Sequence, residues 1–137
     1  MKHKKLSLVV LIGALVLVAG CVPLYEMLIQ GEWEVDEYYK NGDDATQEFY
    51  FTFADYVITF HPDGYFTETY KGLNVIPVTN SGTWSFINNA QQLSLDDDNH
   101  ARIFDVKRLT KEEMRLYRDL GEGEYEELVL DPKEEVQ

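Results

Sequence analysis

The chain has 137 residues, which is enough for one folded domain. Its 25 Asp and Glu residues outnumber its 12 Lys and Arg residues, and the net charge of −13 at pH 7 argues against nucleic acid as a partner. Aromatic residues make up 13% of the chain, which is more apolar mass than a disordered acidic segment carries, so the composition indicates a folded acidic domain.

The first 20 residues differ in composition from the rest of the chain. Lys2, Lys4 and Lys5 precede an almost wholly apolar run from Leu6 to Ala19. A basic start, a short apolar run and a small-residue exit are the layout of a secretory signal peptide, which we expect over residues 1–20. The apolar run is shorter than the roughly 20 residues that a membrane-spanning helix needs, so a permanent transmembrane anchor is the weaker interpretation.

The exit of this segment reads Val18-Ala19-Gly20-Cys21, which resembles the lipobox of bacterial lipoproteins. The resemblance implies cleavage before Cys21 and acylation of that cysteine, and two or three acyl chains suffice for stable membrane anchoring. The alternative is an ordinary signal peptide with a chance cysteine at its end. Because Cys21 is the only cysteine, it has no partner for an intramolecular disulfide, which favours lipidation.

Lipidation predicts a membrane partner and a location in the bacterial cell envelope. In lipoproteins an aspartate directly after the cysteine directs retention in the inner membrane, whereas Val22 and Pro23 stand here. We therefore expect the outer membrane, with the protein facing the periplasm. Cleavage would leave nine basic residues and all 25 acidic ones, a net charge of −16.

Residues 21–30 form a short tether, in which Leu24, Met27 and Leu28 have the spacing of a brief helical turn. From residue 31 to 131 the sequence predicts about eight short strands with alternating apolar and polar residues. We expect them at about 32–40, 56–60, 65–71, 83–87, 92–95, 102–109, 113–120 and 125–130. The alternation of Phe49, Phe51 and Phe53 suggests that the second strand begins earlier. Residues 72–81 read as a loose connection, and residues 132–137 as a charged tail.

Turn residues join each predicted strand to the next one. Examples are Asn41-Gly42 and His61-Pro62-Asp63-Gly64, in which Pro fixes φ and Gly supplies a left-handed position. Sequential antiparallel strands in this number form a sandwich or close into an up-and-down barrel. We expect an all-β, up-and-down antiparallel barrel, whose interior is either filled by side chains or holds one small ligand.

Three groups of residues resemble the lipocalin-like domains of bacterial lipoproteins. They are Leu28-x-x-Gly31-x-Trp33, Ile58-x-Phe60-x-x-Asp63-Gly64-x-Phe66, and Gly82-x-Trp84-x-Phe86 followed by Leu93-x-Leu95 and Phe104-x-Val106-x-x-Leu109-Thr110. The resemblance spans residues 28–130 and implies an eight-stranded barrel closed at one end by the N-terminal turn. It also implies a tryptophan at that end beneath an arginine from a late strand, for which Trp33 and Arg118 are the matching residues.

No catalytic motif is evident, and we expect neither an enzyme nor a bound cofactor. His61 and His100 both fall in turns, without a nucleophile nearby in sequence. The turn from Asp96 to His100 offers oxygen ligands that Ca²⁺ would accept, but Asp and Asn also suit a solvated turn. We favour the solvated turn and expect no metal site.

The strand alternation places one set of residues in the barrel interior, where a ligand would bind. These residues are Ile58, Phe60, Phe66, Glu68, Tyr70, Trp84, Phe86, Leu95 and Leu116. A carboxylate among aromatic rings is costly unless it is paired, so Glu68 is either a ligand anchor or an ion-pair partner of Arg102, Arg115 or Arg118. Phe49, Phe51, Phe53 and Tyr56 either pack the barrel or line a cavity mouth.

Two functions from different classes fit these features. The first is a membrane-anchored module that binds a small apolar ligand in the barrel. The second is a non-catalytic structural or interaction protein of the cell envelope, with a filled barrel and a partner on its outer face. The presence or absence of an interior cavity distinguishes the two hypotheses.

Overall fold

The computed structural model describes residues 21–73 and 75–134. The predicted signal peptide at residues 1–20 and the last three residues of the predicted tail lie outside the described residues. Within the described part, neither helix has the length and apolar character needed to cross a membrane.

The described chain forms two short helices and nine strands, of which eight build the barrel. Helix α1 (Cys21–Ile29) is followed by strands β1 (Gly31–Lys40) and β2 (Asp43–Asp44) and by helix α2 (Thr46–Thr52). The remaining strands are β3 (Ala54–Phe60), β4 (Tyr65–Lys71), β5 (Pro77–Ile87), β6 (Gln92–Asp96), β7 (Ala101–Leu109), β8 (Met114–Gly121) and β9 (Glu124–Pro132).

From β3 to β9 each strand pairs antiparallel with its neighbours in the chain, and β1 pairs with both β3 and β9. This double pairing of β1 closes the sheet into a barrel, while β2 adds only two residues beside β1. The predicted all-β, up-and-down antiparallel barrel is therefore confirmed.

Helix α1 covers one end of the barrel. The indole Nε1 of Trp33 on β1 donates a hydrogen bond of 2.7 Å to the carbonyl oxygen of Ile29, which is fully buried. The ring of Tyr25 packs on Phe86 of β5 with centroids 5.9 Å apart. Because β1 and β5 are separated around the barrel, a helix that contacts both must cross its end. The predicted N-terminal helical turn is thus present, and it closes the barrel there.

The barrel wall has a seam between β1 and β3. These strands pair only from Gly31 to Glu34 on β1, and a bulge follows in β3 between Ala54 and Val57. Helix α2 covers the separated part, where the Tyr50 hydroxyl donates to the carbonyl oxygens of Val35 at 3.0 Å and Asp36 at 2.9 Å. Tyr50 thereby satisfies acceptors of β1 in the stretch where β3 no longer pairs with it.

The suggested extension of the second strand through Phe49, Phe51 and Phe53 is wrong, because these residues belong to helix α2 and the turn after it. Phe49 and Phe53 are four residues apart, as neighbours on one helix face are, and their ring centroids lie 5.0 Å apart. Phe51 points away and is 76% exposed. A Phe at every second position has the period of a strand, but Phe49 and Phe53 pack together with the period of a helix.

The predicted loose connection over residues 72–81 is also partly wrong, because β5 begins at Pro77 rather than near residue 83. The added residues pair with β4 from Lys71 opposite Pro77 to Tyr65 opposite Thr83. Proline is tolerated as the first residue of a strand, so Pro77 does not prevent the pairing. The backbone of β6 passes so close to Gly82 that a Cβ atom there would lie 2.1 Å from the Asp96 carbonyl oxygen.

Candidate ligand-binding site

The end of the barrel opposite α1 holds an open cavity of about 720 Å³. Its lining is formed by helix α2, by residues of β1, β3–β5 and β7–β9, and by the turn between β6 and β7. The aromatic lining residues are Tyr38, Phe49, Phe53, Tyr56, Tyr70 and Phe104. The lining residues with charged or amide side chains are Lys40, Glu48, Glu68, Asn80, Asp97, Asn99, His100, Arg102, Arg118 and Glu126. The cavity therefore combines an aromatic wall with a strongly polar floor and rim.

The aromatic wall begins on helix α2. The ring centroid of Phe49 lies 5.1 Å from that of Tyr38 on β1 and 5.4 Å from that of Tyr56 on β3. Phe53 meets Tyr70 on β4 edge to face at 5.1 Å. Contacts of this kind contribute about 0.5–1.5 kcal/mol each beyond the area that they bury. The helix is therefore attached to the barrel through the same rings that line the cavity.

Glu68 lies at the cavity floor and is the centre of a hydrogen-bond network. The side chain of Arg102 on β7 binds both of its carboxylate oxygens, with Nη1 at 3.2 Å from Oε2 and Nη2 on Oε1. The Tyr56 hydroxyl donates to Oε2 at 2.5 Å, and the Asn80 amide donates to Oε1 at 3.1 Å. Glu68 is only 5% exposed, so these four bonds replace the water that it loses.

The electrostatics of this network keep Glu68 charged and Tyr56 neutral. Burial alone would raise the pKa of Glu68, but the hydrogen bonds and positive charge of Arg102 outweigh it and lower that pKa below its usual value. Burial raises the pKa of Tyr56 well above its usual value, and the neighbouring Glu68 carboxylate raises it further. Tyr56 is therefore a hydrogen-bond donor over the whole physiological pH range.

Asn80 extends the network to the acidic turn between β6 and β7. Its Nδ2 also donates to Asp97 at 3.2 Å, and Asp97 accepts the backbone N–H groups of Asn99 and His100, each at 3.2 Å. These hydrogen bonds, with that from Asn80 as the largest contribution, lower the pKa of the Asp97 carboxyl. The side chain of Asp97 thus stabilises the turn as in an Asx turn. Across the described residues, no three His, Cys, Asp or Glu side chains are grouped as metal ligands would be.

A second ion pair lies at the same end of the barrel interior. Arg118 on β8 and Glu126 on β9 are direct cross-strand partners, joined by Nε and Nη2 of Arg118 at 3.0 and 2.7 Å from one carboxylate oxygen. The Arg118 guanidinium carbon lies 5.4 Å from the ring centroid of Phe104, and that of Arg102 lies 6.0 Å from Phe66. Each cavity arginine is thus paired with a glutamate and placed over a phenylalanine.

The predicted barrel-end pair of Trp33 and Arg118 is wrong, because the two residues lie at opposite ends. Trp33 pairs with Pro132 of β9. Arg118 pairs with Glu126 of β9, which in turn pairs with Lys40 at the far end of β1. Six or seven strand residues separate these positions, which corresponds to roughly 20 Å. Trp33 instead bonds to helix α1 at the closed end, and Arg118 lines the cavity.

The residues predicted to line a cavity divide into two groups. Glu68 and Tyr70 line it. The other seven residues are absent from the lining and pack below the cavity. Phe86 is partly buried against Tyr25 and Trp84. The remaining six are buried: Ile58, Phe60, Phe66, Trp84, Leu95 and Leu116. Strand alternation identifies the inward face of each strand, but it does not give the height of a residue along the barrel.

Several lining residues were not predicted as ligand contacts, including Tyr38, Asn80 and Glu126. The feature that could have identified them is a polar or amphipathic side chain on the inward face of a strand, near the end of the strand that lies at the open end of the barrel. Arg102 was predicted only as one of three partners for Glu68, and the structure selects it. Of the four aromatic residues predicted either to pack or to line a mouth, Phe49, Phe53 and Tyr56 do both, while Phe51 does neither.

A second cavity of about 580 Å³ lies at the seam between β1 and β3. Its lining includes Glu34, Val35, Tyr50 and Val57, and it shares Phe49 and Tyr56 with the larger cavity. The two aromatic side chains therefore separate the interior of the barrel from a groove on its wall.

The chain is similar to known proteins in both sequence pattern and fold. The family model described as a lipocalin-like domain matches residues 29–116, which is more than half of the chain. A search of curated proteins finds no match.

Three solved structures share the barrel at low sequence identity. A lipocalin-like protein from Bacteroides uniformis is 16% identical with a TM-score of 0.56, covering 77% of this chain and 98% of its own. An uncharacterized protein from Bacteroides eggerthii is 16% identical with a TM-score of 0.57, covering 77% and 99%. Lobster apocrustacyanin A1 is 13% identical with a TM-score of 0.55, covering 81% and 64%. With the match of the family model over residues 29–116, the chain belongs to the lipocalin-like domain family.

Proposed function

We propose that this protein is a lipid-anchored binding protein of the bacterial envelope that takes one small, uncharged amphiphilic molecule into the open end of its barrel. The observation that carries the ligand part is the cavity of about 720 Å³, in which an aromatic wall faces two neutralised ion pairs. This volume lies within the roughly 300–1,000 Å³ that is usual for small-molecule sites. The lipocalin-like fold supports the same role.

The ion pairs argue for an uncharged ligand. Arg102 is paired with Glu68, and Arg118 with Glu126, so neither guanidinium offers an uncompensated charge. At these two ion pairs a charged ligand would lose its hydration and meet no uncompensated opposite charge. A neutral molecule with hydroxyl, carbonyl or amide groups can bond to the polar floor while its apolar part contacts Phe49 and Phe53.

The anchoring part rests on the sequence before and at Cys21. A basic start, an apolar run and the lipobox-like Val18-Ala19-Gly20-Cys21 support cleavage and acylation. The absence of aspartate after Cys21 supports the outer membrane, with the barrel in the periplasm. These features are independent of the cavity, so the two parts of the proposal stand separately.

An interaction role is the second candidate. The loop between β4 and β5 exposes Leu73, Val75 and Ile76, each more than half accessible to solvent. Exposed apolar side chains that are neighbours in a loop are typical of contact surfaces. If the cavity binds nothing, this loop is the best place to look for a protein partner.

Mass spectrometry of the natively expressed protein tests both parts of the first proposal. Intact mass reports acyl chains on Cys21, and organic extraction reports a co-purifying small molecule. An unmodified Cys21 would overturn the anchor.

A titration with Nile red, an uncharged aromatic dye, tests the cavity directly. Phe53→Ala removes a lining ring, and we expect affinity to fall about tenfold for a loss of about 1.4 kcal/mol. Phe51→Ala is the matched control, because Phe51 lies on the outer face of helix α2 and is 76% exposed. Equal affinities of the wild type and both variants would overturn the cavity as the binding site.

A further inference from the structure

Helix α1 has one side packed on the barrel and one side left uncovered. Ile29 is fully buried and Tyr25 packs on Phe86, whereas Leu24 is 52% and Met27 is 72% exposed. Leu24 and Met27 are three residues apart, so they lie next to each other on the outer side of the helix. The barrel therefore presents an apolar pair at its closed end that nothing in the described chain covers.

The position of this pair in the chain, close to Cys21, favours lipid as the group that contacts it. The apolar run Leu6–Ala19 ends two residues before Cys21, and α1 begins at Cys21. One helical turn, about 5 Å, separates Cys21 from Leu24 along the axis. An apolar run inserted in a bilayer before cleavage, or acyl chains on Cys21 after it, would hold the start of α1 at the membrane surface.

The charge of the helix favours contact through apolar groups. Glu26 is the only charged residue in α1, and neither end of the helix carries a basic residue. An acidic protein gains nothing from anionic headgroups, so attachment of this face depends on burying side-chain area in the headgroup and acyl boundary.

We propose that Leu24 and Met27 form a lipid-contacting face that seats the closed end of the barrel on the membrane in which Cys21 is anchored. The inference rests on the lipid anchor proposed above and does not depend on the identity of the ligand. It fixes the orientation of the barrel: α1 lies in the interface, and the mouth of the cavity opens on the aqueous side. The ligand therefore enters from water and not from the bilayer.

Site-specific quenching in vesicles tests this orientation on the full, acylated protein. Met27→Cys and Leu73→Cys each introduce one thiol available to a fluorescent NBD label, because Cys21 is the only native cysteine and acylation blocks it. Both parent side chains are highly exposed, at 72% and 67%, so neither change disturbs packing. Leu73 follows β4 at the open end and is the matched control.

The labelled proteins are reconstituted into phosphatidylcholine vesicles with and without nitroxide-labelled phosphatidylcholine. We expect the label at position 27 to be quenched several-fold more strongly than the label at position 73, and to emit at shorter wavelength. Equal quenching at both positions, or stronger quenching at position 73, would overturn the proposal. Intact mass before labelling separates the causes: without acyl chains the anchor itself fails, and the inference with it, whereas acylated protein with equal quenching rejects only the lipid-contacting face.

Discussion

Glu68 and Arg102 lie on strands that are not neighbours, β4 and β7, and their side chains meet across the interior of the barrel. The guanidinium Nη1 lies 3.2 Å from the carboxylate Oε2, with the second nitrogen bound to the other oxygen. Two intervening strands, β5 and β6, separate the partners around the wall. This pair therefore spans the floor of the cavity and ties two sides of the barrel together.

Removing one member of this pair should destabilise the fold strongly. In Glu68→Ala the partly buried Arg102, whose side chain is 19% exposed, loses its partner. We expect a cost near the lower end of the about 3–5 kcal/mol that breaking a fully buried pair takes. Urea denaturation should show a lower midpoint with an unchanged slope. The double variant Glu68→Leu with Arg102→Met should recover most of the loss, because it leaves no unpaired charge. A Glu68→Ala variant as stable as the wild type would contradict the structure of the floor.

Acid should destabilise the protein through the same carboxylate. The folded-state pKa of Glu68 is lowered, so its stabilising contribution is complete above the unfolded-state value and is lost as the pH falls through the folded-state value. We expect the contribution of Glu68 to the free energy of unfolding to be constant around neutral pH and to decline as the pH falls below the usual pKa range of glutamate. Glu68→Gln should reduce the slope of stability against pH in that acidic range. An unchanged slope would show that other carboxylates dominate.

The close approach of β6 to β5 makes Gly82 sensitive to substitution. A Cβ atom at this position would lie 2.1 Å from the Asp96 carbonyl oxygen and 2.9 Å from Cα of Asp97, so the backbone must shift. We expect Gly82→Ala to cost about 1–3 kcal/mol in thermal or urea unfolding, as overpacking does. Ser81→Ala is the control, since Ser81 is the exposed neighbour on the same strand. Equal stability of the two variants would argue against the tight contact.

The bond from Trp33 to Ile29 should hold α1 on the barrel. Trp33→Phe keeps a ring but removes the indole donor, which leaves the Ile29 carbonyl without its 2.7 Å partner at a cost of about 1–3 kcal/mol. Hydrogen exchange should become faster in α1. Trp84→Phe is the matched control, because the Trp84 indole donates to the carbonyl oxygen of His61 at 3.0 Å and makes no hydrogen bond to α1. Faster exchange of α1 in both variants, or in neither, would contradict this role of Trp33.

The barrel fold can be predicted from the sequence, but only part of the candidate binding site can. Alternation correctly places Phe66, Glu68 and Tyr70 on one inward face, because the side-chain period of a strand is two. The same alternation misassigns Phe49 and Phe53, which satisfy the periods of both a strand and a helix. Only tertiary packing on Tyr38 and Tyr56 decides between the two.

The position of each residue along the barrel axis is the other feature that cannot be predicted from local sequence. Trp33 and Arg118 were matched by resemblance, yet strand register places them at opposite ends. Register depends on bulges, such as the one between Val35 and Glu37, and on the tilt that closure of the barrel imposes. The choice of Arg102 among three candidate partners for Glu68 follows from the same register.

The pairing of β1 with β9 has a consequence for how the chain reaches its fold. The first and last strands of the barrel are neighbours, from Trp33 opposite Pro132 to Lys40 opposite Glu126. A chain that emerges N-terminus first therefore keeps β1 with an unpaired edge until its last strand is available, and such long-range pairing is slow. Closure of the barrel therefore requires β9, and a chain that stopped before Glu124 would have two open sheet edges ready to pair with another molecule.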